Sequence, residues 1–209
     1  SALVLALVLD SFLVRRVGFF RLTYFLPFAI PGIVAAMVWL YSYTPELSPI
    51  VKFFDSLGIH IDFMAPGAPI LASMANMTTW TYTGYNMLIF LAALQAVPHE
   101  LYEAARLDGA SSWQIVRQIK IPMVSGAALL AVLLSIIGTI QLFNEPAVMQ
   151  SSNGWMGNAY TPMMMAYNSM TGALSPSGSG PASAISVLIA LVAGVLAALY
   201  ALVQNRIDK

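Results

Sequence analysis

Cysteine is absent from this chain of 209 residues, which excludes disulfides and thiolate metal sites. Histidine occurs only at His60 and His99, too seldom to build a histidine-rich metal site. Charged residues make up 9% of the sequence, against roughly 25% in soluble globular domains. The formal net charge is zero, so nothing points to nucleic acid as a partner. What fills the chain instead is apolar: 59% of its residues are hydrophobic, and a surface built from them needs membrane lipid around it.

A bilayer core of about 30 Å takes about 20 mostly apolar residues per helical span. Four stretches free of Asp, Glu, Lys and Arg reach that length: Leu22 to Tyr41, Ala68 to Gln95, Met123 to Leu142 and Ala182 to Gln204. Ser1 to Leu9 reads as the last turns of a fifth span that begins upstream. The apolar part of a signal peptide is the competing reading, and neither a basic flank nor a small-residue cleavage site accompanies it. A backbone in lipid must satisfy its own hydrogen bonds, and spans apolar on nearly all sides do so as helices rather than as a barrel. The expected fold is an all-α membrane domain covering residues 1–209.

Arg15, Arg16 and Arg21 lie between the first two spans, Arg106, Arg117 and Lys120 between the third and fourth, and Arg206 and Lys209 after the last. These are alternate loops, so eight of the nine basic residues fall on one side, which the positive-inside rule makes cytoplasmic together with the C-terminus. Lys52 is the exception. The other two loops, Thr44 to Pro69 and Asn144 to Pro181, carry turn signals such as Asn153-Gly154 and Ser175-Pro176-Ser177-Gly178 and are expected to hold short interfacial helices. Pro27 and Pro31 mark bends or helix starts.

The loop between the third and fourth spans, QAVPHELYEAARLDGASSWQIVRQIKIPMV, is too polar to cross a membrane and is patterned as two short helices. Pro98 suits the start of the first and Gly109 its left-handed end. Ser111 and Gln114 have the spacing of a capping box for the second, with Trp113, Val116, Ile119 and Ile121 supplying its apolar side before Pro122. Leu101, Ala104, Ala105 and Asp108 share one side of the first helix, and His99, Glu103 and Arg106 another. The pattern alone also fits an ordinary hairpin on the membrane surface, with Glu103 and Arg106 paired in solvent.

The same segment resembles the EAA loop of permeases from binding-protein-dependent ABC importers. That family's pattern is Glu-Ala-Ala, three residues, Gly, nine residues, Ile, one residue, Leu, Pro. Here Glu103, Ala104, Ala105, Gly109, Ile119, Ile121 and Pro122 stand at that spacing, with Ile in place of Leu. The flanks, LQAVPHELYEAARLDGAS, are similar to the carbohydrate branch related to maltose permeases, and the likeness extends to FFRLTYFLPFAIPGIVAAMVW and ASAISVLIALVAGVL while fading in the two other loops. The resemblance implies a type I importer bundle with five spans present, the first truncated, and residues 96–122 as a cytoplasmic coupling loop. It implies ABC ATPase subunits that bind ATP and Mg, a second and non-identical permease subunit, and an extracytoplasmic solute-binding protein, all at a bacterial cytoplasmic membrane. No cofactor is expected on this chain, which lacks a glycine-rich phosphate loop. Carried over residue by residue, Glu103, Ala104, Ala105, Asp108, Gly109, Ile119 and Pro122 would contact or position the ATPase.

For the solute path, the uncharged polar run Asn76 to Asn86 lies near the middle of the third span, the depth at which transporters place substrate. Thr78, Tyr82 and Tyr85 share a helical face there. With Asn86, and with Gln141 and Asn144 from the next span, they supply the hydroxyls, amides and rings that suit a sugar, Glu145 lying just beyond. Such groups also join helices to one another. Met163 to Met165, beside Tyr160 and Tyr167, read as an adaptable interfacial helix or a surface for the binding protein rather than a thioether metal site. A membrane enzyme or an ion-coupled carrier would need ionisable groups inside the spans, and these spans hold none. The expected cargo is a mono- or oligosaccharide, with another polar solute such as glycerol 3-phosphate or a polyol as the alternative.

Overall fold

A computed structural model describes residues 1–11 and 15–207. Lys209, one of the basic residues assigned to the cytoplasmic side, lies outside them. The described residues form helices and loops throughout: α1 (Ala2–Leu9), α2 (Val17–Ala29), α3 (Gly32–Tyr43), α4 (Pro49–Ser56), α5 (Ala68–Gln95), α6 (His99–Leu107) and α7 (Ser112–Ile115). A π-helical turn (Val116–Lys120) follows, then α8 (Ile121–Met123), α9 (Ser125–Ile140), α10 (Asn144–Gln150), α11 (Pro162–Met170) and α12 (Ser179–Ile207).

Two stretches of 26 residues, Ser125–Gln150 and Ser179–Gln204, are long and apolar enough to cross a membrane. Only 6% of the apolar window in either is buried within the chain. Val187, Leu188, Leu191, Val195 and Leu202 of α12 are all exposed, and so much apolar surface is stable only against lipid or partner helices. The expected span from Leu22 to Tyr41 is not one helix. It is broken between α2 and α3, where Pro31 takes an extended backbone and begins the second piece, and the two pieces pass the length and apolarity test only as a pair. α5 has the bounds of the uncharged stretch, Ala68–Gln95, but the polar run in its middle keeps it out of the strongly apolar class.

The span expected from Met123 to Leu142 also runs further, through α10 to Gln150. This corrects the reading that the spans lack ionisable groups, because Glu145 lies inside the longer stretch and is buried at 9% exposure. The expected span was bounded by the absence of charge, and Glu145 closes that stretch; Pro146 beside it suits the first turn of α10, where its missing N–H has no helical partner anyway. The two loops expected to hold short helices contain α4, α10 and α11. Ser48 caps α4 by accepting from the backbone N–H groups of Ile50 and Val51, and Thr161 caps α11 by accepting from Met164.

The chain divides into two compact units. The first comprises Ser1–Ala29, Tyr82–Ser135 and Leu196–Lys209. Its core joins Ala6 and Leu9 of α1, Met87, Phe90, Leu91 and Leu94 of α5, and Val124 and Ala131, with a smaller cluster of Val97, Tyr102 and Ile115 under the polar loop. The second comprises Ile30–Thr81 and Ile136–Val195. Tyr43, Ile70, Met149 and the methionines Met64, Met74, Met77 and Met156 form its core, an unbranched filling that adapts to irregular space.

Candidate functional site: the polar hairpin

The loop after α5 is a helical hairpin. α6 ends in a Schellman motif: Ala110 N–H donates to the Ala105 carbonyl at 2.9 Å and Gly109 N–H to the Arg106 carbonyl at 3.0 Å. Gly109 has φ +82°, a left-handed conformation that costs a residue with a side chain roughly 1 kcal/mol. The second helix opens on the expected capping box. Ser111 Oγ accepts from Gln114 N–H at 3.3 Å, and Ser111 N–H donates to Gln114 Oε1 at 2.7 Å.

The two alanines of the Glu-Ala-Ala motif have different surroundings. Ala105 is half-buried and packs with Ala110 against Val97, Tyr102 and Ile115, whereas Ala104 is exposed. Glu103 and Asp108 are exposed as well. Sequence reasoning missed Leu107, which is 89% exposed at the end of α6. It had also placed Trp113 and Ile121 on the packed side of the second helix, and both are exposed, Trp113 at 67%. Trp113 and Ile115 lie two residues apart in α7 and so on opposite sides of it, and the side that meets the packed cluster carries Ile115. Beyond α7, Ile121 N–H reaches back five residues to the Val116 carbonyl, and this π turn shifts the register of Ile121. Pro122 follows at once; it lacks an N–H and its ring crowds the preceding turn, which a widened turn accommodates. Ile119 packs against the same small cluster.

Tyr102 is the centre of that cluster. Burial raises its phenol above the ordinary tyrosine range, and the nearby Asp10 carboxylate adds to the effect. Its hydroxyl is buried without a hydrogen-bond partner among the described residues, and the Lys120 ammonium lies 5.2 Å from the ring centroid. A hydroxyl desolvated without compensation contributes nothing that phenylalanine would lose. Tyr102→Phe is therefore expected to keep or raise the thermal midpoint in detergent, while Tyr102→Ala lowers stability by about 3 kcal/mol through the cavity it leaves. A fall with Phe as large as that with Ala would show that the hydroxyl, not the ring, matters.

The residues read as a solute path are divided between the two units. In the first unit Tyr82 and Tyr85 pack on Phe28 of α2, with ring centroids at 5.7 and 4.7 Å, and Asn86 is half-buried. In the second unit Thr78 turns its hydroxyl back to the Met74 and Ala75 carbonyls, at 3.1 and 3.0 Å, and Gln141 is exposed. Asn144 lines a cavity of about 310 Å³ with Ile33, Met37, Leu40, Phe143 and Val148. Its amide fills the space that a side chain on Gly32 would need, and this close approach holds α10 against α3.

An all-helical membrane domain with a polar, capped hairpin between two of its long helices is thus the class of protein that the geometry defines. The family profile described as the inner membrane component of binding-protein-dependent transport systems matches residues 2–209, and the chain belongs to that family. A probable ABC transporter permease protein of Pyrococcus horikoshii is 36% identical over 147 residues, covering 68% of this chain and 49% of that protein. The lactose transport system permease protein LacF of Rhizobium radiobacter is 32% identical over 197 residues, covering 92% of this chain and 65% of that protein. This chain therefore spans about half to two thirds of the length of these relatives, which are named as permease proteins, not enzymes. A crystal structure of a bacterial ABC transporter that imports alginate has the same fold, with a TM-score of 0.78 at 19% identity over 100% of this chain and 72% of that one.

Proposed function

We propose that this chain is a permease subunit of an ATP-driven ABC importer that moves a mono- or oligosaccharide across a bacterial cytoplasmic membrane. The carrying observation is the outward surface of the hairpin. Leu107 and Trp113 stand exposed on the same hairpin as the exposed Glu103 and Ala104, a segment too polar to lie in lipid, and large apolar side chains left exposed among charges point to a protein partner. In this reading the partner is the ATPase subunit, which binds ATP and Mg. Ala104 permits close approach, Glu103 offers its carboxylate to a basic group, and Gly109 sets the sharp turn, with Asp108, Ile119 and Pro122 holding the hairpin's shape. The hairpin then moves as a lever when the ATPase closes, with the C-terminus on the same, cytoplasmic, side. A second, non-identical permease subunit completes the pore, and an extracytoplasmic binding protein delivers the solute.

Sugar is preferred as cargo because two lines agree. The groups offered for its path, from α5 and from Gln141 and Asn144, are uncharged hydroxyls, amides and rings, with Glu145 just beyond them, and LacF is named for lactose transport. Thr78, Tyr82, Tyr85, Asn86, Gln141 and Asn144 are the residues offered for its path. In liposomes containing the complete transporter and its binding protein, ATP hydrolysis is expected to rise with one saccharide from a panel. Stimulation by a phosphorylated solute or a polyol alone would keep the importer and replace the cargo.

A further inference from the structure

Lys120 and Asp10 stand 110 positions apart in the sequence and form an ion pair, with side chains only 13% and 15% exposed. Asp10 is the C-cap of α1, its backbone N–H donating to the Ala6 carbonyl at 2.8 Å. A carboxylate is the wrong charge for that end, because the helix dipole presents its negative pole there. α1 alone would be better served by a neutral residue, so the carboxylate needs a cation that another element brings. Lys120 ends the π turn, and the same ammonium lies over the Tyr102 ring of α6. One cation thus joins three segments: α6, the second helix of the hairpin, and the end of α1. The hairpin is covalently continuous with α5 and with α8 and α9, but its link to α1 is made through space.

We propose that the Asp10–Lys120 pair ties the coupling hairpin to α1, so that movement of the hairpin is carried into that helix as well as into the helices covalently attached to it. This rests on the importer reading above. A partly desolvated ion pair adds little net stability compared with a well-packed apolar pair, but it fixes which group meets which, and losing one member leaves the other unpaired in a dry place. The residues are positioning residues, acting through the hairpin and touching neither solute nor nucleotide.

The test uses the complete transporter with its binding protein in liposomes. Asp10→Asn and Lys120→Met are expected to lower solute moved per ATP hydrolysed by roughly five-fold, the scale of mutations that alter coupling between sites. Exchanging the two charges, Asp10→Lys with Lys120→Asp, restores most of the loss. A purely structural role would lower hydrolysis and transport together and leave their ratio alone. In parallel, spin labels at Val8→Cys and Gln118→Cys, in a chain with no native cysteine, report the separation of α1 and the hairpin. That separation is expected to stay fixed between nucleotide-free and ATP-trapped states, and to change on trapping in Asp10→Asn. An unchanged ratio in both single variants, or a fixed separation in Asp10→Asn, overturns the tie. Failure of every solute to stimulate the unsubstituted transporter overturns the importer reading instead, and the label distances still decide the tie.

Discussion

Glu103→Lys is expected to leave ATP hydrolysis running while abolishing most solute uptake in the reconstituted transporter. Glu103 is exposed on α6 and the hairpin's core lies beneath other residues, Val97, Tyr102 and Ile115, so the substitution removes nothing the fold needs. Surface changes of this kind stay within about 0.5 kcal/mol in stability. At a protein contact the same change is severe, because it reverses a charge and sets like against like where a carboxylate met a basic group. Assembly should survive, since Leu107, Ala104 and Trp113 keep their apolar contact, while the lever loses its directional grip. Transport per ATP is therefore predicted to fall at least about ten-fold, with the complex still eluting intact. Wild-type turnover in this variant would refute the role, and loss of the complex would reassign Glu103 to assembly.

Much of the hairpin was legible because its signals are local. Pro98, Gly109, Ser111 and Gln114 each act within one helical turn, and a cap needs only its own sequence to form. The packed face of the second helix was not legible. Trp113 and Ile115 stand on opposite sides of α7, and the apolar pattern does not say which side packs; periodicity also assumes 3.6 residues per turn, and the π turn at Val116–Lys120 breaks that assumption for Ile121 beyond it. Only Pro122 carried a signal, as a residue that disturbs the helix just before it. Long-range pairing was silent for a different reason. Asp10 and Lys120 are each unremarkable in their own loops, and no local rule brings positions 110 apart together.

The spans repeat the contrast. Charge-free length located α5 and α12, yet it merged α2 with α3 and stopped α9 short of α10, because composition records hydrophobicity and not the direction of the backbone. Pro31 was visible at the first of these places, where either reading of a proline, bend or helix start, was available, and at the second the charge of Glu145 ended the count. The polar run of α5 was legible as polar but not in its use. Threonine in a helix commonly turns its hydroxyl to the carbonyl a turn earlier, as Thr78 and Thr81 do, and a sequence gives no sign of which hydroxyls remain for a solute.

Gly84, within that run, carries the other large expected effect. It sits on α5 where the backbone of α2 comes closest: a side chain there would collide with the Tyr24 carbonyl and come within 2.8 Å of the Phe25 nitrogen. Both obstacles are main chain, so neither can rotate aside, and the helices would have to separate. In a membrane that separation is costly. Close backbone approach at small residues is a principal source of helix association there, lipid being as apolar as the side chains it replaces. The rings beside it would lose contact too, since Phe28 stacks on Tyr85 and meets Tyr82 edge-on only while α2 stays close. Gly84→Ala is expected to cost about 2 kcal/mol, and Gly84→Leu about 3 kcal/mol or more, enough to remove the folded peak in detergent size-exclusion. Gly194→Leu is the control, because nothing among the described residues lies within 4 Å of a side chain added there. Equal behaviour of the two leucine variants would mean that α2 and α5 do not meet through Gly84. Loss confined to Gly84→Leu, with hydrolysis and transport falling together, would separate this packing contact from the coupling lesions predicted for Glu103 and Asp10.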